Sequence, residues 1–295
     1  MRVAVAGSSG LIGSALLPAL REAGHETLRI VRREAAAGEV SWDPAKGTID
    51  AASLAGVEAI VNLSGVSIAA RWTATRKRGI LESRTTSTRL VAETAASLEP
   101  RPSVLLCASA VGFYGSRGEE VLTEASPRGD GFLADVVEQW EAATLPAREA
   151  GIRVVHCRHA PVLSRRGSIL RRLLPPFRLG LGGRIGSGEQ WWSWIAMEDL
   201  TGAYVHLLEH SLAGPVNVAA PQPVRNRDFV RELARALHRP ARIPFPSLAV
   251  EALLGEMGRE VVLASQRVLP AALGANGYAM RCPTLAEGLA SALAR

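Results

Sequence analysis

The chain has 295 residues, of which 47% are hydrophobic and 21% charged, so it is long enough for one large α/β domain with a smaller lobe. No run of about 18 apolar residues occurs, and glycines interrupt the apolar N-terminal stretch, so we expect neither a membrane span nor a signal peptide and predict a cytoplasmic protein. The formal net charge of +6 comes almost entirely from arginines scattered along a chain with few aromatic residues, which does not favour a nucleic-acid partner.

The first predicted element is a short strand, Arg2–Ala6, that leads through a glycine-rich turn into an amphipathic helix. The turn reads Gly7-Ser8-Ser9-Gly10-Leu11-Ile12-Gly13, and the helix is predicted to stop at Gly24. These glycines allow a tight turn and close approach of a pyrophosphate, and the N–H groups at the helix start attract phosphate charge. The pattern predicts a dinucleotide-binding loop, the alternative being an ordinary tight turn.

The second predicted strand, Glu26–Val31, ends in Arg32 and Arg33. An NAD site usually has Asp or Glu about 20 residues after the glycines, to bind the ribose hydroxyls. Two guanidinium groups suit a 2′-phosphate instead, so NADP(H) is the predicted cofactor. The alternative is that both arginines are solvated charges at a strand end.

Strands and helices alternate through the middle of the chain, after a polar segment around Trp42 and Gly47 that is predicted as a loop or hairpin. The predicted strands are 59–63, 104–108, 153–157 and 216–218, and the predicted helices are 83–97, 131–149 and 199–209. This alternation predicts an α/β fold with a Rossmann-type doubly wound parallel sheet. Ligands of such sheets lie beyond the carboxyl ends of the strands, so the glycine turn, residues 62–65, Ser109 and the segment after Cys157 are expected to line one crevice.

From about residue 164 the pattern loosens, and Pro175-Pro176 with the glycines at 180–188 predict a loop or lid. Trp191, Trp192 and Trp194 follow, and they either pack in the core or stack on a substrate. Further helices are predicted near 226–237, 247–256 and 284–294. We predict that residues 1–222 form an NADP-binding Rossmann domain and residues 223–295 a C-terminal domain that completes a smaller substrate lobe.

A local group of arginines lies near this predicted substrate lobe: Arg165, Arg166, Arg171, Arg172, Arg178 and Arg184. They either attract an anionic substrate or form a solvated basic face. The three cysteines, Cys107, Cys157 and Cys282, are odd in number and widely spaced in apolar surroundings, which predicts reduced core thiols and no disulfide or metal site.

Recognisable motifs are spread over nearly the whole chain, at residues 7–13, 61–65, 82–84, 109–115, 139–143, 179–183, 194–195, 199–200 and 266–270. Together they resemble the atypical short-chain dehydrogenase/reductase group of the NAD-dependent epimerase/dehydratase superfamily, specifically its epimerase-like proteins with an extra conserved C-terminal region. The resemblance implies a Rossmann fold that binds NADP(H). With the arginine argument above, the predicted cofactor-binding residues are Gly7, Ser9, Gly10, Leu11, Ile12, Gly13, Val31, Arg32, Arg33, Leu63, Ser64, Gly65, Arg84 and Pro161.

The proton relay of this superfamily is missing. Extended members use Tyr-x-x-x-Lys, in which the lysine lowers the tyrosine pKa so that the phenol exchanges a proton. No tyrosine here is followed by lysine at the fourth position, and the matching place, residues 133–137, reads Leu-Ala-Asp-Val-Val. This departure puts a sugar-epimerase activity in doubt.

Three residues are candidate substitutes for the relay. Ser109 follows the fourth strand, where relatives hold a hydroxyl that bonds the reacting carbonyl, although a simple strand-end serine is an equal alternative. Tyr114 could donate a proton, but its ordinary pKa of about 10 would need lowering. His159 has a suitable ordinary pKa, with a packed or solvent-facing histidine as the alternative. Glu124 and Asp135 are interpreted as surface carboxylates.

The leading hypothesis is an NADP(H)-dependent oxidoreductase or epimerase-like enzyme, a monomer or homodimer, that acts on a small polar or anionic molecule. The alternative is a catalytically silent NADP(H)-binding protein with a redox-sensing or regulatory role, which the loss of the relay favours.

Overall fold

The computed structural model describes residues 1–294, and Ser168 by its backbone alone. Its strands are β1 (Arg2–Ala6), β2 (Glu26–Val31), β3 (Glu39–Asp43), β4 (Thr48–Ile49), β5 (Ala59–Asn62), β6 (Val104–Ala110), β7 (Val121–Leu122), β8 (Arg153–His159), β9 (Val162–Leu163), β10 (Trp191–Trp192), β11 (Ile195–Ala196), β12 (Gly214–Val218), β13 (Val224–Arg225) and β14 (Arg267–Val268). Strands β1, β5 and β6 are buried on both faces, which is why they read as continuous apolar runs.

The helices cover the sheet on both sides. They are α1 (Leu11–Glu22), α2 (Ala74–Ser97), α3 (Phe132–Ala142), α4 (Leu145–Glu149), α5 (Ser168–Arg178), α6 (Met197–Glu209), α7 (Asn226–Ala236), α8 (Ser247–Leu254), α9 (Ala271–Ala275) and α10 (Leu285–Ala294). One core cluster joins the sheet to α1 and α6, for example through Leu16 and Leu207. A second cluster joins the opposite face to α2 and α4 through residues such as Val91 and Ala147.

The central sheet has eight strands in the order β12-β8-β6-β5-β1-β2-β3-β4. All neighbours are parallel except the β3–β4 hairpin, which occupies the segment around Trp42 and Gly47. The chain winds outward from β1 through β2 on one side and resumes at β5 on the other. This confirms the predicted doubly wound sheet, and the reversal of strand order between β1 and β5 is where such sheets bind ligands.

A third core cluster lies outside the sheet and draws on residues of both 163–194 and 220–292. It contains the largest departure from the predicted elements, since α5 occupies residues that were predicted as a loop because of Pro175 and Pro176. Leu170, Leu174 and Phe177 are spaced along one face of α5 and are buried in this cluster. The free energy gained by burying these side chains exceeds the cost of the two backbone hydrogen bonds that the prolines cannot donate. Tertiary packing therefore overrides the local preference of Pro175 and Pro176 against a helix.

Two helix boundaries also differ from the prediction. Helix α2 begins nine residues early, at Ala74, because the Thr73 side chain accepts a hydrogen bond from the Arg76 amide at 3.2 Å and caps the helix. The predicted helix 131–149 is broken into α3 and α4, since Pro146 has no N–H to continue the ladder. Among residues 1–294 no helix combines the length and apolar character that a membrane crossing requires.

Candidate cofactor and active site

The glycine turn lies between the ends of β1 and β5. Gly7 has φ +75°, and a Cβ there would come within 2.8 Å of the Leu63 carbonyl group. A Cβ on Gly13 would lie 2.4 Å from the Gly7 carbonyl oxygen. These close approaches seat the start of α1 directly on the turn, with the first amides of the helix free of intrahelical acceptors. The turn therefore presents N–H groups at the point where the strand order reverses.

The end of β2 carries the two arginines that were expected to select the cofactor. Arg32 is exposed and makes no hydrogen bond or ion pair with the described residues. Arg33 is held by Glu39, with 2.7 Å between its Nη1 and Oε2 of the carboxylate. The hydrogen bond from Arg33 lowers the pKa of Glu39. Arg32 is thus the free cation at this strand end, while Arg33 already has a carboxylate partner.

Two polar groups near the end of β5 lack the partners that their burial calls for. The Ser64 Oγ is buried and has no hydrogen-bond partner among the described residues. The Arg84 guanidinium lies against Gly65, 5.0 Å from the Trp140 ring, and within residues 1–294 it donates only to the Ile80 carbonyl, at 3.0 Å. Burial lowers the pKa of Arg84 to about 10, and the charge of Arg76 adds to the effect. Such a cation without a carboxylate favours an anion at this position.

A buried ion pair lies at the carboxyl ends of β6 and β8. Arg158 donates from Nε and Nη2 to the two carboxylate oxygens of Glu141, both at 2.8 Å, and only 4% of Arg158 is exposed. Burial would raise the pKa of Glu141, but the hydrogen bonds and charge of Arg158 outweigh it and hold that pKa below its ordinary value. The pair is bidentate, which gives it both strength and a fixed geometry.

Ser109 and Tyr114 both form hydrogen bonds with this ion pair. Ser109 Oγ donates to Glu141 Oε1 at 2.6 Å, and Tyr114 accepts from Arg158 Nη1 at 3.1 Å while donating to Asn217 Oδ1 at 2.7 Å. Tyr114 has no exposed surface, and burial raises its pKa. Both hydroxyls therefore have hydrogen-bond partners within the fold, and these bonds can serve to position the ends of β6 and β8. The catalytic roles of Ser109 and Tyr114 stay predictions.

His159 ends β8, and its Nε2 lies 2.8 Å from the Tyr204 hydroxyl. Burial lowers the pKa of His159 to about 4. The imidazole is therefore neutral near pH 7 and only a weak proton acceptor, so burial removes the near-neutral pKa that the residue type predicts. Pro161 follows two residues later and is exposed, with its carbonyl accepting from the Ile195 amide at 3.1 Å.

The His159 pKa predicts a pH-dependent contribution to stability. The ordinary pKa is 6.5, so the unfolded chain takes up a proton that the folded chain excludes until about pH 4. The free energy of unfolding of the wild type should fall as the pH drops from 6.5 toward about 4. The free energy of unfolding of His159→Gln, which keeps a partner for Tyr204, should fall less over the same range. Urea unfolding across this pH range measures the difference. Parallel profiles for the wild type and His159→Gln would contradict the prediction, and His210→Gln, at an exposed histidine, is the matched control.

The C-terminal region contributes two side chains to which the sequence analysis assigns no role. Gln266 Nε2 donates to the carbonyls of Val111 and Gly115 at 3.1 and 3.0 Å and so fixes the turn after β6. Glu260 accepts from the amides of Phe132 and Leu133 at 2.9 and 2.8 Å, at the start of α3. Gln266 lies in a recognised motif, but nothing in the sequence marks Glu260, because its partners are more than 120 residues away.

The remaining candidates take structural positions. Trp192 and Trp194 are buried and donate to backbone carbonyls of Val262 and Gln222 at 3.1 and 3.0 Å, so these two tryptophans pack. Glu124 accepts hydrogen bonds from the amides of Asn217 and Ala272 at 3.0 and 3.1 Å and so links β12 to α9. It is therefore not the surface carboxylate that was expected. Among the residues that the structure describes, no group of three or more His, Cys, Asp or Glu side chains could hold a metal ion.

Comparison with known families separates the chain into two matched regions. Residues 3–219 match the model of the NAD dependent epimerase/dehydratase family. Residues 245–292 match a domain of unknown function, DUF1731.

Individual relatives match over the full length of this chain. Epimerase family protein Mb2239 of Mycobacterium bovis is 45% identical over 296 residues, which cover 99% of this chain and 98% of the relative. The crystal structure of human epimerase family protein SDR39U1 (isoform 2) with NADPH has a TM-score of 0.91 at 36% identity and covers 99% of both chains. A nucleoside-diphosphate sugar epimerase from Corynebacterium glutamicum has a TM-score of 0.84 at 37% identity, covering 99% of this chain and 58% of the other.

Proposed function

The chain belongs to the NAD dependent epimerase/dehydratase family, and we propose that it is an NADP(H)-dependent oxidoreductase or epimerase-like enzyme for a small polar substrate. The observation that carries the proposal is the set of unsatisfied groups around the reversal of strand order. There the glycine turn, the unpartnered Ser64 hydroxyl and the Arg84 guanidinium without a carboxylate lie at the ends of β1 and β5. Each of them suits a phosphate-bearing cofactor.

The residues present fit NADP(H). The pyrophosphate would lie against the amides of residues 11–13, with Arg84 as its cation, and Leu63 to Gly65 would form the opposite side of the crevice. Arg32 would bind the 2′-phosphate, since it is the cation at the end of β2 that no carboxylate occupies. The human relative was crystallised with NADPH, which supports this choice of cofactor. When bound, the cofactor would supply hydride transfer to or from a carbon of the substrate.

The chain's own groups would bind and orient the substrate beside that cofactor. His159 is neutral near pH 7 and paired with the Tyr204 hydroxyl, and with its low pKa it would help to orient the substrate rather than take up a proton. Ser109 and Tyr114 would act through the buried Arg158–Glu141 pair by keeping the ends of β6 and β8 in place. Residues 1–222 would form the cofactor-binding domain and residues 223–295 the smaller C-terminal domain. In the C-terminal domain, Gln266 holds the turn after β6 and Glu260 holds the start of α3.

A second candidate function is NADP(H) binding without turnover, as a redox-sensing or regulatory protein. One observation favours it: Leu133 stands at the place of the missing relay tyrosine, and the nearest tyrosine in the chain, Tyr114, has no exposed surface. The Corynebacterium relative is described as a nucleoside-diphosphate sugar epimerase, but without the relay that activity does not carry over directly.

The two candidates are distinguished by mixing the purified protein and NADPH with a panel of carbonyl metabolites and following the NADPH absorbance. Loss of absorbance with at least one carbonyl supports the enzyme. Binding of NADPH with no turnover across the panel supports the silent binding protein. Failure to bind NADPH at all would contradict both proposals.

Arg32→Ala should weaken NADPH binding about tenfold or more and leave NADH binding nearly unchanged. The reason is the loss of charged hydrogen bonds to the 2′-phosphate, each worth about 1.5–3 kcal/mol. Arg33→Ala should have a smaller effect, because its guanidinium is already paired with Glu39. Titrations of each variant with NADPH and with NADH measure the preference directly.

Arg84→Gln distinguishes binding of the pyrophosphate from binding of the 2′-phosphate. It should weaken NADPH and NADH binding to the same extent, since both molecules carry the pyrophosphate. If Arg32→Ala and Arg33→Ala together leave the preference for NADPH over NADH unchanged, the proposed 2′-phosphate site is wrong.

A further inference from the structure

Residues 165–242 carry a charge that the proposed cofactor site does not use. They contain twelve arginines and no lysine, against six acidic residues, and this excess equals the formal net charge of +6 of the full chain. The rest of the chain is therefore balanced. Such an excess raises the local potential where several of the arginines lie together in space.

A cleft of about 450 Å³ concentrates four of these arginines. Arg227 and Arg231 stand on α7, with Val230 and Ala234 on the same face of that helix, and Arg242 lies on the segment after it. Arg184 belongs to the lining as well. Guanidinium groups thus reach the cleft from separate parts of the chain over a partly apolar floor.

The acidic residues nearby neutralise this cleft only in part. Arg231 pairs with Asp228 at 3.2 Å, and Arg227 pairs with Glu189. Arg184 donates to the backbone carbonyls of Gly186 and Ser187 and so keeps its full charge. Arg242 is exposed and has no hydrogen bond or ion pair within residues 1–294. Two of the four positive charges therefore have no carboxylate.

An apolar surface adjoins the cleft. Residues 179–186 and 240–247 run side by side as a ribbon, in which the Ile243 amide donates to the Gly182 carbonyl at 3.1 Å and the Phe245 amide to the Arg184 carbonyl at 2.8 Å. Of the eight large hydrophobic side chains that are exposed in the described chain, six lie on this ribbon or on α8 beside it: Leu179, Leu181, Ile243, Phe245, Leu248 and Leu253. Such a concentration is typical of an interaction surface.

We propose that the arginine cleft and the adjoining ribbon bind an acidic segment of a partner protein that also carries apolar side chains. The unneutralised arginines would pair with carboxylates, and the exposed leucine, isoleucine and phenylalanine side chains would be covered by the apolar residues of the partner. Two copies of this chain that meet symmetrically through this surface do not fit, because the basic surface of each copy would repel the other.

Two other anionic partners fit less well. A lipid bilayer fits less well because α8, which exposes Leu248 and Leu253 beside the cleft, carries Glu251 and no basic residue. Single-stranded nucleic acid needs aromatic rings for stacking, whereas Phe245 is the only aromatic ring among the six exposed hydrophobic side chains.

The test uses the full chain and a short fluorescein-labelled peptide of Glu and Leu as the probe, followed by fluorescence anisotropy. Wild type should bind it, and Arg231→Glu with Arg242→Glu should weaken binding about tenfold or more. A second variant, Leu181→Ser with Ile243→Ser, leaves the charge unchanged and should also weaken binding, which a purely electrostatic attraction would not produce. The four side chains are exposed, so both variants should fold.

The matched control is Arg171→Glu with Arg178→Glu, which makes the same charge change at two exposed arginines of α5 outside the cleft. It should alter peptide affinity less than about twofold. Equal weakening by the two charge reversals, or no binding to wild type, would overturn the proposal. So would binding to phosphatidylserine vesicles or to a single-stranded oligonucleotide that depends on Arg231 and Arg242 when the peptide does not bind.

Discussion

Gly13→Ala is expected to weaken NADPH binding by about 100-fold or more. The new Cβ would lie 2.4 Å from the Gly7 carbonyl oxygen and 2.7 Å from the Ser8 Cα, and both are backbone atoms that cannot swing aside. The turn must therefore move away from α1, and the amides at the helix start lose their common direction. Two charged hydrogen bonds at the lower end of their range account for about 3 kcal/mol, which corresponds to the expected loss.

Isothermal titration with NADPH measures this effect, and Gly79→Ala is its control. Gly79 lies within α2, and a Cβ there would meet nothing within 4 Å. The same substitution at that position should leave NADPH affinity unchanged and stabilise the protein by about 0.5–1 kcal/mol, because alanine is the better helix residue. Equal NADPH affinity for Gly13→Ala and Gly79→Ala would show that the turn does not hold the cofactor.

Glu141→Gln is expected to lower the free energy of unfolding by about 3–5 kcal/mol. The variant keeps the size of the side chain but leaves the charge of Arg158 buried without a counter-ion, with only 4% of that arginine exposed. The hydrogen bonds from Arg158 and Ser109 lose their carboxylate acceptor at the same time. The loss comes mainly from the uncompensated charge, since removing one partner of a buried pair costs more than the pair itself contributes.

Urea unfolding of Glu138→Gln provides the comparison, because Glu138 is on the same helix, with its carboxylate largely exposed near Arg128. An exposed pair contributes about 0–1 kcal/mol, so this variant should be close to wild type. Glu141→Leu combined with Arg158→Met removes both charges and should recover part of the stability that Glu141→Gln loses. If Glu141→Gln and Glu138→Gln have the same free energy of unfolding, the buried Arg158–Glu141 pair does not stabilise the ends of β6 and β8 as expected.

The central fold could be predicted because its signals are local. Strands buried on both faces read as continuous apolar runs, and the turn after β1 carries its glycines at the positions where backbone atoms come closest. The helix α5 could not be predicted in the same way. Its prolines argue against a helix locally, and only the cluster that buries Leu170, Leu174 and Phe177 reverses that preference.

The candidate site shows the same division. Three features can be read from the amino-acid sequence alone, because each is a matter of residue type at a short spacing. A glycine-rich turn follows β1, arginines follow β2, and the usual proton relay is absent. Which of these charges remain available to a ligand depends on the tertiary structure. It paired Arg33 with Glu39, left Arg32 and Arg84 without carboxylates, and enclosed Ser109 and Tyr114 in the Arg158–Glu141 pair. These partners come from strands and helices that the sheet order brings together, and a side chain's burial and hydrogen bonds depend on neighbours that its own segment does not encode.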